Sequence, residues 1–129
     1  IAFFALPNFS SAFARAIYRV GTSPSSAIAC EKNNATFYYY AGLAEINGWG
    51  VTSNSVLLYL NQAVKLNSDY LEAQILIGDF HYLAAERGKD SRYNYNLALQ
   101  QYNKILVKYP DNADVLNRKA QVQQKLQQQ

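Results

Sequence analysis

The sequence is short of several residue types on which catalytic and metal-binding proteins depend. Its 129 residues include one cysteine, one histidine and no methionine. A single cysteine cannot form an internal disulfide, and one cysteine with one histidine cannot supply the ligands of a structural zinc site or an iron–sulfur cluster. We therefore expect no metal and no cofactor. Because methionine is absent, we also expect that translation begins upstream of Ile1.

Charge is also scarce. Lysine and arginine number 12 and aspartate and glutamate number 9, which gives a formal net charge of +3. So small an excess is too thin for the basic surface with which proteins bind nucleic acid. The charges are unevenly placed, since residues 1–64 hold five of them and residues 65–129 hold the other 16. The first half lacks the groups that solvate a free surface, and we expect a partner to cover it.

The chain starts with an apolar segment. Residues 1–14 carry no charge, but Pro7, Asn8 and two serines interrupt them, so the segment is too short and too broken to cross a bilayer. Three interpretations are open: the end of a signal sequence, the last turns of a membrane span, or a segment that buries itself on a partner. We assign residues 1–23, with a first helix, to a docking or membrane-proximal element. Its expected docking side chains are Ile1, Phe3, Phe4, Leu6 and Phe9.

Residues 24–129 show apolar residues at helical spacing and three similar segments, which begin at Ala27, Ala63 and Ile105. Each segment has the pattern of a helix end, a polar turn and the start of another helix. A strand would also fit the VLLYL run, but the repeat register favours a helix there. We expect an all-α fold with about seven helices, at residues 9–20, 24–30, 35–47, 53–66, 69–87, 92–108 and 112–127.

The pattern resembles the tetratricopeptide repeat family, whose unit of about 34 residues is a pair of antiparallel helices. Gly42 and Gly78 fall on the small eighth position of two units. Three residues match later positions of the second unit, namely Ala98, Tyr102 and Pro110. The resemblance covers roughly residues 24–127. It implies a right-handed superhelical stack of antiparallel helical hairpins, an α-solenoid, with a polar C-terminal capping helix.

The repeat spacing predicts the length of one hairpin, and the resemblance predicts which residues line a groove. The three similar segments are 36 and 42 residues apart. We therefore expect one overlong hairpin, with each helix about one turn longer. In the family, the first helix of each unit lines a concave groove. The corresponding residues here are Thr36, Tyr39, Leu43, Ile46, Glu72, Ile75, Asp79 and Tyr82. Their mixed chemistry suits a peptide or a neighbouring helix better than a phosphate.

Tyr38, Tyr39 and Tyr40 are consecutive. On a helix they spread over about 200°, so they cannot all face one core. At least one of them must face the groove, the solvent or a partner.

Few residues suggest chemistry. Cys30 and His81 are the only pair that could act as thiol and base, and we interpret them as a buried small residue and a packed ring. Asp79 and Glu86 lie seven residues apart on one predicted helix, which we interpret as a solvated face. We therefore expect no enzymatic activity.

Two sequons are candidate glycosylation sites, at Asn8 and Asn34, although Asn34 is more simply a helix N-cap.

Together these features predict a non-enzymatic scaffold for protein–protein contacts, exported to the cell surface, the extracellular space or the periplasm. Its apolar N-terminus would pack on a neighbour, and an identical neighbour would give a homo-oligomer or filament. The alternative is the extracytoplasmic tail of a bacterial membrane protein, such as an envelope glycosyltransferase or O-antigen-ligase-like protein. A cytosolic peptide adaptor of the co-chaperone kind ranks last, because the groove residues include no lysine or arginine to clamp a carboxylate. A cytoplasmic location is left open.

Overall fold

The computed structural model describes residues 34–48 and 55–129, and the regular structure of these two ranges is entirely α-helical. The helices are α1 (Ala35–Gly48), α2 (Ser55–Leu66), α3 (Leu71–Glu86), α4 (Ser91–Lys108) and α5 (Ala113–Gln127). The all-α prediction is therefore confirmed for this part of the chain, including a helix at the VLLYL run. The helices expected at 9–20 and 24–30, with the predicted docking residues and Asn8, lie outside the described residues. The chain divides after Ser68 into two compact units.

The ends of the five helices agree with the predicted ends to within two residues, because local signals set them. Asn34 caps α1, and its side-chain Oδ1 accepts the backbone N–H of Phe37 at 3.2 Å. Gly88 follows the end of α3 with φ at +81°, a conformation that glycine adopts without strain.

Four of the five helix starts differ from the prediction by one or two residues. α5 begins at Ala113 instead of Asn112, because Asn112 is its N-cap and its side chain accepts the backbone N–H of Val115 at 3.0 Å. α3 begins at Leu71 instead of Asp69, whose carboxylate pairs with Lys108.

In the first unit, the middle of α1 is buried around the whole circumference of the helix. Every residue from Ala41 to Ile46 is buried, and six consecutive residues cover more than one helical turn. α2 buries one face instead, and it approaches α1 closely at Gly42, where a Cβ would lie 2.8 Å from Leu60 Cδ2. Tyr39 and Tyr40 remain half-buried, with ring centroids 5.2 Å apart and edge to face. The expectation that the tyrosine run cannot be wholly buried is confirmed.

In the second unit, α3 and α4 form an antiparallel hairpin. The direction follows from two hydrogen bonds between the helices, because the one that involves a later residue of α3 involves an earlier residue of α4. Gln101 Nε2 donates to the Gln74 carbonyl at 3.0 Å, and the Ser91 hydroxyl donates to the Ala85 carbonyl at 2.8 Å. The two helices have 16 and 18 residues, against 14 and 12 for α1 and α2. The longer hairpin expected from the wider repeat spacing is present.

Gly78 is the point of closest approach in this hairpin. A Cβ at Gly78 would lie 2.5 Å from Tyr102 Cε1, and the Tyr102 side chain is fully buried. Because Gly42 and Gly78 have no side chain, each lets a large side chain of the next helix lie against its backbone.

The last helix, α5, packs against α4 and fully buries Val115 and Val122. Most of its remaining positions are polar. Among the described residues, no helix has the length and apolar character needed to span a membrane.

We expect Gly78→Ala to destabilise the second unit. The added methyl group would overlap the buried Tyr102 ring, and such overpacking costs about 1–3 kcal/mol, against a gain of about 1 kcal/mol in helix propensity. Gly42→Ala is the matched variant, and it should lose less, because the aliphatic Leu60 side chain can move more easily than a ring held by a hydrogen bond. Urea unfolding followed by circular dichroism measures both losses. A Gly78→Ala chain more stable than the parent would contradict the close approach.

Candidate functional site

Asp79 is buried, although the sequence indicated a solvated helix face. The residue is 2% exposed. Its Oδ1 accepts hydrogen bonds from the Tyr102 hydroxyl and, at 2.9 Å, from Arg118 Nε. Tyr102 comes from α4 and Arg118 from α5, so three helices meet at one carboxylate. The solvated-face prediction is wrong for Asp79, because a helix later in the chain supplies the counter-charge that makes its burial tolerable.

Burial and ion pairing have opposite effects on the pKa of the Asp79 carboxyl group. Burial raises the pKa of Asp79 above its ordinary value, and Arg118 and Tyr102 oppose that rise. Burial alone would lower the pKa of Arg118, but the charge of Asp79 and the hydrogen bond to it give a net increase. Burial and the Asp79 charge also raise the pKa of Tyr102, which stays a protonated donor. Arg118 pairs in addition with Asp114, one turn earlier on α5.

A second, more exposed cluster lies around Glu86. Lys125 Nζ is 3.2 Å from Glu86 Oε1, and Tyr82 and Tyr95 also hydrogen-bond to this carboxylate. Burial would raise the pKa of Glu86, but these hydrogen bonds together lower it below its ordinary value. Burial and the Glu86 charge raise the pKa of Tyr95 to about 12. Burial and the hydrogen bond to Glu86 likewise raise the pKa of Tyr82.

The two clusters are built alike. Each takes an acid from α3, a tyrosine from α4 and a base from α5, and corresponding residues lie seven apart on each helix, about 10 Å along its axis. We call them the acid–tyrosine–base layers: the inner layer is Asp79, Tyr102 and Arg118, and the outer layer is Glu86, Tyr95 and Lys125. Both acid–base pairs join residues 39 positions apart. α5 therefore runs parallel to α3 in a constant register.

The eight residues predicted to line a groove divide evenly between surface and interior. Leu43, Ile46, Asp79 and Tyr82 are buried. Thr36 and Glu72 are exposed, and Tyr39 and Ile75 are half-buried. The buried members on α3 belong to the two polar clusters, so the remaining four residues are the part of the predicted groove that a partner could touch.

His81, the base of the predicted thiol–base pair, is half-buried on α3. Its ring packs edge to face with Phe80 at 5.5 Å between centroids. Burial lowers the pKa of His81, and a hydrogen bond with Asn94 opposes this. Nδ1 is buried and has no hydrogen-bond partner among the described residues. Cys30 lies outside them, and within 34–48 and 55–129 no three potential metal-ligating side chains of the histidine, cysteine or carboxylate type cluster together.

No protein-family model matches the chain, and no curated protein or solved structure shows significant similarity to it. The function must therefore be argued from the geometry of the chain itself.

That geometry is suited to holding a helix. Each carboxylate on α3 accepts a hydrogen bond from a tyrosine hydroxyl and pairs with a lysine or arginine that reaches it from α5, the helix packed against α4. The seven-residue spacing of Asp79 and Glu86 is visible on one predicted helix, but the bases that match it lie on another. The equal spacing of Arg118 and Lys125 on a later helix is the signal that could have revealed the layers.

We expect Arg118→Met to lower the free energy of unfolding by about 3–5 kcal/mol at neutral pH, because it leaves the Asp79 carboxylate buried without its cation. Lys125→Met is the matched change in the outer layer, where a half-exposed pair contributes about 1 kcal/mol or less. The Arg118→Met deficit should shrink in acid, since a protonated Asp79 needs no counter-charge. Denaturant unfolding at about pH 7 and about pH 4 measures these differences. Equal losses in the two variants would contradict the burial of Asp79.

Glu86→Gln should be less stable than the parent at neutral pH. Since the pKa of Glu86 is lowered in the folded chain, its carboxylate stabilises the fold above the unfolded pKa near 4.5. This contribution is lost as the pH falls through the lower folded pKa, so parent and variant should converge in acid. Glu72→Gln changes an exposed carboxylate of the same helix and serves as the control. A difference that stays constant with pH would count against the hydrogen bonds to Glu86.

Proposed function

We propose that this chain is a helical-repeat domain and serves as a non-enzymatic scaffold for protein–protein contacts. The observation that carries the proposal is the register of the second unit, in which α4 is antiparallel to α3 and α5 returns parallel to α3 at an offset of 39 residues. A helical hairpin followed by a helix in the orientation of the first is the arrangement with which a further repeat begins. Repeats of this kind bury their core by stacking on neighbours.

The first unit supports the same proposal through its own packing. Gly42 lies against Leu60 as Gly78 lies against Tyr102, and the two glycines are 36 residues apart. The same kind of glycine contact, repeated at this spacing, supports an α-solenoid of the tetratricopeptide type.

The proposed contact patches are the accessible groove residues of each unit taken by itself, Thr36 and Tyr39 on α1 in the first unit and Glu72 and Ile75 on α3 in the second. A tyrosine ring, an aliphatic side chain and a carboxylate provide apolar area with a few polar contacts, which suits a peptide or a helix. Buried residues anchor α1 in the first unit and α3 in the second, so each patch lies on a helix that is packed into its own unit.

The neighbour that we favour is a second copy of an exported chain, on which the apolar residues 1–9 pack. Exposed apolar area at the end of a repeat stack is completed by another chain. A contact between two different surfaces of identical chains propagates from copy to copy, which gives a filament.

Replacing Phe3, Phe4 and Leu6 by serine should abolish this assembly, because the apolar area that drives it is removed. Light scattering and electron microscopy of the full chain measure particle size. Serine at Gln123 and Gln124, two exposed positions of α5, is the matched control and should leave the particles unchanged. If the triple variant forms particles of the same size as the parent chain, the self-assembly proposal is wrong.

A further inference from the structure

The α3–α4 hairpin forms a binding surface for one helix, and α5 occupies it. The surface presents the carboxylates and tyrosine hydroxyls of the two acid–tyrosine–base layers, about 10 Å apart. A helix that fits must carry basic side chains seven residues apart. It must also carry an apolar side chain, which can be buried, three residues before each basic one. α5 satisfies this pattern with Val115 and Arg118, then Val122 and Lys125.

α5 is the least anchored helix of its unit. It has two buried residues, whereas α3 has nine and α4 has four. Some of its polar groups are satisfied without the hairpin, since Asn112 caps its start and Asp114 pairs with Arg118 one turn later. The elements with the fewest buried contacts open most readily, so α5 can leave the hairpin while α3 and α4 stay packed.

A short hinge limits where α5 can dock. Only residues 109–112 separate α4 from α5. Pro110 lacks an N–H and prevents the two helices from merging into one. Fully extended, four residues span at most about 14 Å. α5 can therefore reach its own hairpin or that of a copy placed directly beside it.

We propose that α5 is an exchangeable helix, which docks on its own α3–α4 hairpin in the single chain and on the hairpin of a second copy when chains assemble. The inference rests on the proposed scaffold function, because it names a second copy as the partner and the two layers as the contact. The same side chains form the same pairs in both arrangements, so chain concentration determines the balance between them. Reciprocal exchange closes a dimer, and one-way exchange continues along a row of copies.

The inner layer makes the exchange specific. A docked helix without a base opposite Asp79 would leave that carboxylate buried and unpaired, at 2% exposure. Asp114 of the same helix holds Arg118 near the position in which it pairs with Asp79, so this side chain is already oriented when α5 docks.

The test mixes two full-length variants, Glu86→Lys and Lys125→Glu, one of them isotope-labelled. These changes fall in the outer, more accessible layer, where the fold tolerates them best. Each variant alone brings like charges together, whereas exchange between the two restores one native and one reversed pair. Native mass spectrometry should show mixed species in clear excess over those formed by either variant with its own labelled form.

The double variant Glu86→Lys/Lys125→Glu restores the pair within one chain and is the matched control. It should form no more mixed species than the parent chain. If the complementary mixture shows no excess while circular dichroism shows both variants folded, the inference is overturned. It is equally overturned if the double variant associates as strongly as the mixture, because the contact would then lie elsewhere.

A hinge variant gives a second measurement that leaves both layers intact. Insertion of Gly-Ser-Gly after Asp111 should ease docking within one chain and lower the yield of mixed species between labelled and unlabelled chains relative to the parent. An unchanged yield contradicts the exchange. Residues 1–9 are unaltered in all these samples, so failure of α5 exchange is distinguishable from failure of the N-terminal assembly, which has its own variants.

Discussion

A carboxylate withdrawn from water needs hydrogen bonds and a counter-charge, and in the second unit Asp79 obtains them from two other helices. Tyr102 on α4 and Arg118 on α5 both donate to the same oxygen, Oδ1. Displacing either helix by one residue along its axis would remove its donor, so this contact fixes the register of all three helices. Burial of an ion pair brings little net stability. We therefore take its main contribution to be the unique placement of α5.

Tyr102 links the polar contact to the packing. Its hydroxyl donates to Asp79, and its ring lies against the backbone at Gly78, one residue earlier on α3. A larger residue at 78 would push the ring away and misplace the hydroxyl, so the glycine and the buried carboxylate depend on each other. The outer layer repeats the acid, tyrosine and base two turns away in a more accessible setting. The inner layer thus holds a buried ion pair, and the outer layer holds a more exposed pair whose loss costs less stability.

The two units differ in where their charged residues lie. In the first unit, α1 is buried over the whole stretch from Ala41 to Ile46, and one charged residue, Glu45, lies within it. In the second unit, several of the more numerous charges lie between helices and not only on the surface. A scaffold assembled from such parts would use apolar area for adhesion and paired charges for register, which are separate physical roles.

The sequence by itself determined the helices. Asn34 and Gly88 act within one turn of the helix ends that they set, so local pattern was sufficient there. Only the tertiary structure decided which charges are inside. Glu72 and Asp79 are acidic residues on the same helix, yet the first is exposed and the second is buried. The difference arises because the cation that permits burial lies 39 residues away on α5, and no local pattern in α3 reports which helix will pack against it.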